Sequence, residues 1–226
     1  MSCGVIGNTL DFGSKDSEFE PQQDNNRSIT KLIYTMEKFV CADCDICILN
    51  NYNPLVGDGI IPANIMFVGR NPDNYEHKHN IPFINKAGAL FQRYLNLFNF
   101  SRDHIFITNA VKCKTPSNRI PVDVEIYNCG KYLDQEIATV NPKIIVLLGT
   151  TAIRTYFKLA FTDININIED VNGKYMIHKN RIILFAIHPS HALSLIKGRE
   201  QLFVAFTQLV SLYRYINPAH ETNIIQ

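Results

Sequence analysis

Four side chains stand out for what they could do together. Asn71, Asn109 and His188 each follow an apolar run by a residue or two, and Phe83 lies behind a proline at the far end of the loop that Asn71 begins. A neutral amide offers a donor and an acceptor side by side, the pairing needed to read an imide edge such as the N3–H and O4 of uracil. An imidazole beside it can donate to a carbonyl oxygen while negative charge builds there. An aromatic ring supplies a face on which a base can stack. Any one of these residues alone would more simply cap a strand end or a turn. Their gathering on one rim is what would make a site.

The cysteines carry a second chemistry. Of the six, Cys3 lies in a polar leader, and the others are Cys41, Cys44, Cys47, Cys113 and Cys129. Cys44-Asp-Ile-Cys47 is a short pair, whereas Cys113 and Cys129 are sixteen positions apart. Four thiolates from two distant segments suit a tetrahedral metal site or an iron–sulfur cluster. A zinc ribbon takes two short knuckles, and the second spacing here is too wide for one. A [4Fe–4S] cluster is therefore preferred, with zinc as the alternative and buried inert thiols as a third reading. The stretch "CADCDIC" leaves the register open, since Cys41 could serve with Cys44.

These residues need a scaffold, and the apolar pattern supplies one. Four short runs, "NIMFVG", "HIFITNAV", "KIIVLLG" and "RIILFAIH", are each bounded by turn residues. Between and after them lie the amphipathic stretches "AGALFQRYLNLF", "VDVEIYNCGKYLDQEIATV", "TTAIRTYFKLAF" and "EQLFVAFTQLVSLYRYI". Near-continuous strands alternating with helices predict an α/β fold, a three-layer α/β/α sandwich around a central, mainly parallel four-stranded sheet. Ligands bind such folds at the carboxyl ends of the strands. Those ends carry Gly69-Arg70-Asn71, Thr108-Asn109, Gly149-Thr150 and His188-Pro189-Ser190. Residues 1–27 read as a flexible polar leader. Residues 28–226 read as one domain, opening with a helix over "SITKLIYTMEKFV" that leads to the cysteines.

Composition sets the outer bounds. A chain of 226 residues can bury one full core, and 46% hydrophobic with 19% charged residues is ordinary for a globular protein. No apolar run is long enough to span a bilayer, and the start lacks the basic-then-apolar layout of a signal peptide, so an intracellular location without a membrane is expected. A net charge of +1 neither advertises nor excludes a nucleic-acid partner.

Ordered blocks then give the chain a family resemblance. Cys44-Asp-Ile-Cys47-Ile-Leu49, Gly57-Asp-Gly59, "GRNPD", "PFINKAG", "ITNAVKCKTPSNRIP", Cys129, "PKIIVLLG" and "HPSHAL" follow one another over roughly residues 41–197. In this order they resemble the uracil-DNA glycosylase superfamily, most closely its iron–sulfur branch, family 4. The resemblance implies a monofunctional glycosylase that flips uracil out of DNA and hydrolyses its bond to the sugar, leaving an abasic site for base excision repair. It implies that Phe83 stacks on the flipped base, Asn109 reads the uracil edge, and His188 stabilises charge at O2, with Glu76 near the base's C5 side and Gly69 and Asp73 in the same pocket-forming motif. It further implies that Leu193 wedges into the duplex, with Ser190, Lys197 and Arg119 beside the DNA. Cys44, Cys47, Cys113 and Cys129 would hold a structural [4Fe–4S] cluster. The expected partner is DNA bearing uracil, single-stranded or in a U·G mismatch, bound by a monomer that could also meet a replication or repair protein.

Four positions depart from the family 4 pattern, Asn71 standing where the family has a small residue. Arg70 stands where the family has glutamate, and Asp73 and Asn85 stand where it has glycines. An arginine cannot act as a base. "GRNP" instead resembles the GxNP motif of the mismatch-specific and single-strand-selective branches, which implies that Asn71 holds the attacking water and leaves Arg70 to face DNA. The histidine-bearing insert of the branch that traps its product covalently is missing between Cys113 and Arg119, so hydrolysis is expected. The competing reading is a non-catalytic binder of DNA or protein, or a glycosylase for another modified or mismatched base.

Overall fold

The computed structural model describes residues 44–46 and 54–218. The leader, the helix expected over residues 28–40, Cys41 and Cys47 lie outside the described residues.

The four apolar runs become the centre of one sheet. β1 (Asp58–Gly59), β2 (Ile65–Gly69), β3 (Phe106–Asn109), β4 (Ile144–Leu148), β5 (Tyr175–His178) and β6 (Arg181–Ala186) are arranged in the order β1-β3-β2-β4-β6-β5. Pairing is parallel from β3 through β2 and β4 to β6. The sheet has six strands and not four, because β1 and β5 add antiparallel edges. β5 joins β6 through Lys179 and Asn180, both at positive φ as a two-residue hairpin turn of the I′ type requires.

Helices cover both faces. They are α1 (Asn74–His79), α2 (Lys86–Leu97), α3 (Asp123–Val140), α4 (Thr150–Tyr156), α5 (Ile168–Val171) and α6 (Ile196–Ile216). Alternate strand residues point to opposite faces. Ile65 and Phe67 of β2 therefore pack with Phe91, Leu95, Phe206 and Leu209 of α2 and α6. Met66 and Val68 pack on the other side with Leu133, Ile137 and Ile153 of α3 and α4. This is the expected three-layer α/β/α arrangement. A third, smaller cluster joins Ile46, Val111, Cys113, Ile126, Cys129 and Tyr132, with Cys44 packed against it.

Two helix boundaries differ from the apolar pattern. α4 ends at Tyr156, short of the apolar residues that continue to Phe161, because Lys158 and Phe161 adopt positive φ. α6 starts at Ile196, ahead of the apolar pattern that opens at Glu200. Its first turn contains Gly198, where a Cβ would lie 2.6 Å from the His191 carbonyl oxygen. Only glycine lets that turn sit against the segment following His188.

Candidate active site

Parallel pairing brings the carboxyl ends of β2, β3, β4 and β6 to one edge, and the rim is built there. Gly69 and Asn109 are register partners across β2 and β3. The pairing runs on past the strands, with Ala110 N–H donating to the Gly69 carbonyl and Val111 N–H to that of Arg70, both at 2.9 Å. A Cβ on Gly69 would lie 2.5 Å from Asn109 Oδ1 and 2.5 Å from the Phe83 ring. The two side chains thus meet directly over a residue that has none.

Asn109 is 2% exposed, and its side-chain nitrogen is buried without a hydrogen-bond partner. An orphaned buried donor costs about 1–3 kcal/mol, so this amide is held ready at a cost to stability. Beneath it lies a fully buried polar network. Lys112 Nζ donates to the Asn109 carbonyl and to Thr108 Oγ1, both at 2.7 Å, and forms an ion pair with Glu136. Glu136 also accepts from Thr108 Oγ1 at 2.7 Å and from Gly57 N–H at 2.9 Å. The network ties the end of β3 to α3 and to the strand-leading glycine segment.

Phe83 is held from three directions. Its backbone has φ +57°, a left-handed conformation that a phenylalanine adopts only under constraint. Its N–H donates to Glu76 Oε1. Arg102 donates to the carbonyls of Pro82 and Phe83. Gly88, in the first turn of α2, lies so close that a Cβ there would meet the Phe83 carbonyl at 2.1 Å. The ring itself lies 5.6 Å from the His188 imidazole, centre to centre, inclined by 39°.

Glu76 is buried, and its other oxygen accepts from Asp73 N–H at 2.9 Å, one half of a capping box on α1. Burial pushes its carboxyl up to about 7, with Asp73 adding to the rise and the two N–H donors and Arg102 opposing it. Asp73 caps α1 by accepting from the N–H groups of Tyr75 and Glu76, each at 2.9 Å. Its second oxygen accepts from Asn85 Nδ2 at 2.8 Å, while Asn85 Oδ1 caps α2 at Gly88 N–H. Asp73 and Asn85, both departures from the family 4 pattern, are therefore bonded to each other.

His188 presents a defined tautomer. Its Nδ1 lies 2.8 Å from Ser190 Oγ and accepts from Ser190 N–H at 3.2 Å. A nitrogen that accepts carries no proton, so the ring's hydrogen is assigned to Nε2. Burial lowers its pKa to about 3, and the positive charge of Arg70 and the neighbouring His191 push the same way. The imidazole is thus neutral at physiological pH and offers one N–H.

Arg70 and Asn71 continue the chain from Gly69. Asn71 is buried, with Nδ2 donating to the Pro72 carbonyl at 3.0 Å and to Thr115 Oγ1 at 3.2 Å. Arg70, expected to face DNA, turns its Nε onto Asn71 Oδ1 at 2.8 Å and an Nη onto Asn118. Two of the other expected DNA contacts pair with local carboxylates. Arg119 makes a two-pronged pair with Glu125, and Lys197 pairs with Glu169 on an exposed surface. Leu193 is 40% exposed at the end of the turn that follows His188. Sequence context gives no signal for Thr115, Arg102, Lys112 or Glu136, since residue type alone does not say what a polar side chain touches.

Among the described residues no group of three His, Cys, Asp or Glu side chains closes around a metal position. Cys113 and Cys129 are nevertheless fully buried in the small cluster that Cys44 adjoins, and Lys112 N–H points at Cys129 Sγ from 3.5 Å. The buried Cys113 and Cys129 and the half-buried Cys44 offer thiols from three segments, the donor type that an iron–sulfur cluster takes.

The chain matches the uracil DNA glycosylase superfamily over residues 56–210. A type-4 uracil-DNA glycosylase of Sulfurisphaera tokodaii is 37% identical over 162 residues, covering 70% of this chain and 73% of that protein. The type-4 enzyme of Thermotoga maritima is 35% identical over 68% of this chain and 78% of its own length, and that of Saccharolobus solfataricus 36% over 66% and 72%. The matched span runs from the glycine segment before β1 into α6 and takes in every rim residue described above, so the chain belongs to the uracil DNA glycosylase superfamily.

Proposed function

We propose that this protein is a monofunctional uracil-DNA glycosylase of base excision repair. The observation that carries the reading is the buried, partnerless Asn109 amide set against Phe83 over Gly69. A uracil swung out of the helix would lie on the Phe83 ring. Asn109 would donate through Nδ2 to O4 and accept the N3–H at Oδ1. The His188 Nε2–H would donate to O2 as the bond from C1′ to N1 breaks and its electron pair moves onto the base. Because the imidazole is neutral, it acts as a hydrogen-bond donor and not as a proton source. Removing one such donor typically costs two to three orders of magnitude in rate.

Water completes the reaction by bonding through oxygen to the oxocarbenium-like C1′, and the proton it sheds passes through solvent to the released uracil anion. Asn71 cannot remove a proton strongly, but its Oδ1 can hold and aim a water by accepting one hydrogen. Extruding the base costs a few kcal/mol, least where it is mispaired or already single-stranded, so single strands and U·G pairs are the favoured substrates. Asp73 and Asn85 spend their polar atoms on helix caps and on each other, which argues against their selecting a different base.

Cys44, Cys113 and Cys129, with Cys47 as the fourth thiolate, would hold a [4Fe–4S] cluster whose part is to pin the segment around Cys44 to α3. Protein purified without oxygen should be brown with iron and sulfide bound. Colourless protein with stoichiometric zinc would replace the cluster with a zinc site. The activity itself is tested by treating a uracil-bearing oligonucleotide with the protein and then with alkali. Strand breakage at uracil is expected, and none at any uracil pairing would leave a non-catalytic binder.

A further inference from the structure

We propose that Arg70 is a positioning residue that fixes which end of the Asn71 amide faces the attacking water. The proposal rests on the reading of Asn71 as the residue that holds this water. The two ends of an asparagine amide have nearly the same shape, yet only the oxygen can accept a hydrogen from water. Guanidinium nitrogens donate and never accept, so the Asn71 atom 2.8 Å from Arg70 Nε must be Oδ1. Both Nδ2 hydrogens are engaged, one by the Pro72 carbonyl and one by Thr115 Oγ1. Asn71 is left with a single free valence, the second lone pair of Oδ1. A flipped amide would set donor against donor at Arg70 and lose both Nδ2 bonds.

The arginine is itself held in place. Its Nη2 donates to Asn118 Oδ1 at 3.0 Å and lies 3.3 Å from the Asn118 carbonyl. Asn118 and its neighbour Ser117 have φ of +53° and +50°, bending the chain back toward Arg70. Thr115 Oγ1, which accepts from Asn71, donates in turn to the Arg119 carbonyl at 2.6 Å. The turn at 115–119 and the loop at 70–72 are thus stitched together by one guanidinium and one amide.

Two conservative substitutions separate this role from a charge that meets DNA phosphate. In Arg70→Gln the amide nitrogen occupies the same point along the side chain as Nε and can still donate to Asn71 Oδ1, although the charge is gone. In Arg70→Lys the charge remains, but a methylene stands where Nε was. Single-turnover release of uracil from a single-stranded oligonucleotide, at saturating protein, should fall ~100-fold in Arg70→Lys while Arg70→Gln stays within about tenfold of the unaltered protein. The dissociation constant for the oligonucleotide should change little in either variant. The reverse order, with Arg70→Lys active and Arg70→Gln weakened in binding and in its salt dependence, would overturn the proposal in favour of a phosphate contact. Equal rates in all three proteins would overturn it too. An Asn71→Ala variant with full single-turnover rate would instead remove the underlying reading of Asn71, and an unaltered protein inert on uracil would remove the enzyme reading itself.

Discussion

Gly69 and Asn109 stand opposite each other at the ends of two paired strands, with Asn109 Oδ1 2.5 Å from the point where a Gly69 side chain would begin. The missing side chain leaves the room in which the Asn109 amide and the Phe83 ring meet. A methyl group at residue 69 would push both aside, and misplacement of about 1 Å can cost ~100-fold in rate. Gly69→Ala should therefore lose uracil release to about that extent while keeping its far-ultraviolet circular dichroism. Full activity in that variant would place the base elsewhere.

Asn109 should trade stability against activity. In Asn109→Asp a carboxylate cannot donate to O4, and uracil release should drop by two to three orders of magnitude. Asn109→Ala removes the orphaned donor, whose burial costs about 1–3 kcal/mol. Its melting midpoint should be no lower than that of the unaltered protein, despite truncation of a buried residue. A clear drop in the midpoint would mean that the amide has a partner in the folded protein.

Glu76 and His188 pull the pH dependence of stability in opposite directions. The Glu76 carboxyl is raised from 4.5 to about 7 on folding, so its contribution is complete below pH 4.5 and is lost as pH rises through 7. His188 is lowered from 6.5 to about 3, so its contribution is present above pH 6.5 and is lost as pH falls toward 3. Replacing Glu76 by Gln removes the first effect alone. The stability difference between unaltered protein and Glu76→Gln, from urea unfolding, should shrink as pH goes from 4.5 to 7 and then level off. A difference that does not vary with pH would show that Glu76 titrates normally.

The Lys112–Glu136 pair should be costly to break from one side. Both side chains are buried at 1% and 0% exposure, so Lys112→Met leaves a carboxylate without its counter-charge. That should destabilise the protein by about 3–5 kcal/mol, with Lys112→Met/Glu136→Gln recovering part of the loss. Urea midpoints check this. Since Lys112 also holds the Asn109 carbonyl, uracil release should slow in both variants.

Periodicity and block order make much of this legible in the sequence. Runs of Val, Ile, Leu and Phe are set by burial on both faces, so four strands and four of the helices could be read along the chain. Parallel pairing then forces their carboxyl ends onto one edge, which is why Asn109, His188 and the Gly69 loop were expected together. β5 was hidden because Lys179 and Asn180 turn the hairpin without the glycine that usually marks such a turn. β1 has two residues, too short to show alternation.

The polar contacts were the other blind spot. Arg70 finds Asn118 forty-eight positions away, and Asp73 finds Asn85 after twelve. Glu76 reaches forward seven positions to the Phe83 N–H, and Lys112 reaches Glu136, twenty-four positions on. Burial of apolar surface is additive and repeats along a helix or strand, so it writes itself into residue order. A hydrogen bond depends on distance and angle between two particular atoms, and those exist only once the layers have packed. Residue order therefore announced which side chains could act, and folding alone chose what each of them holds.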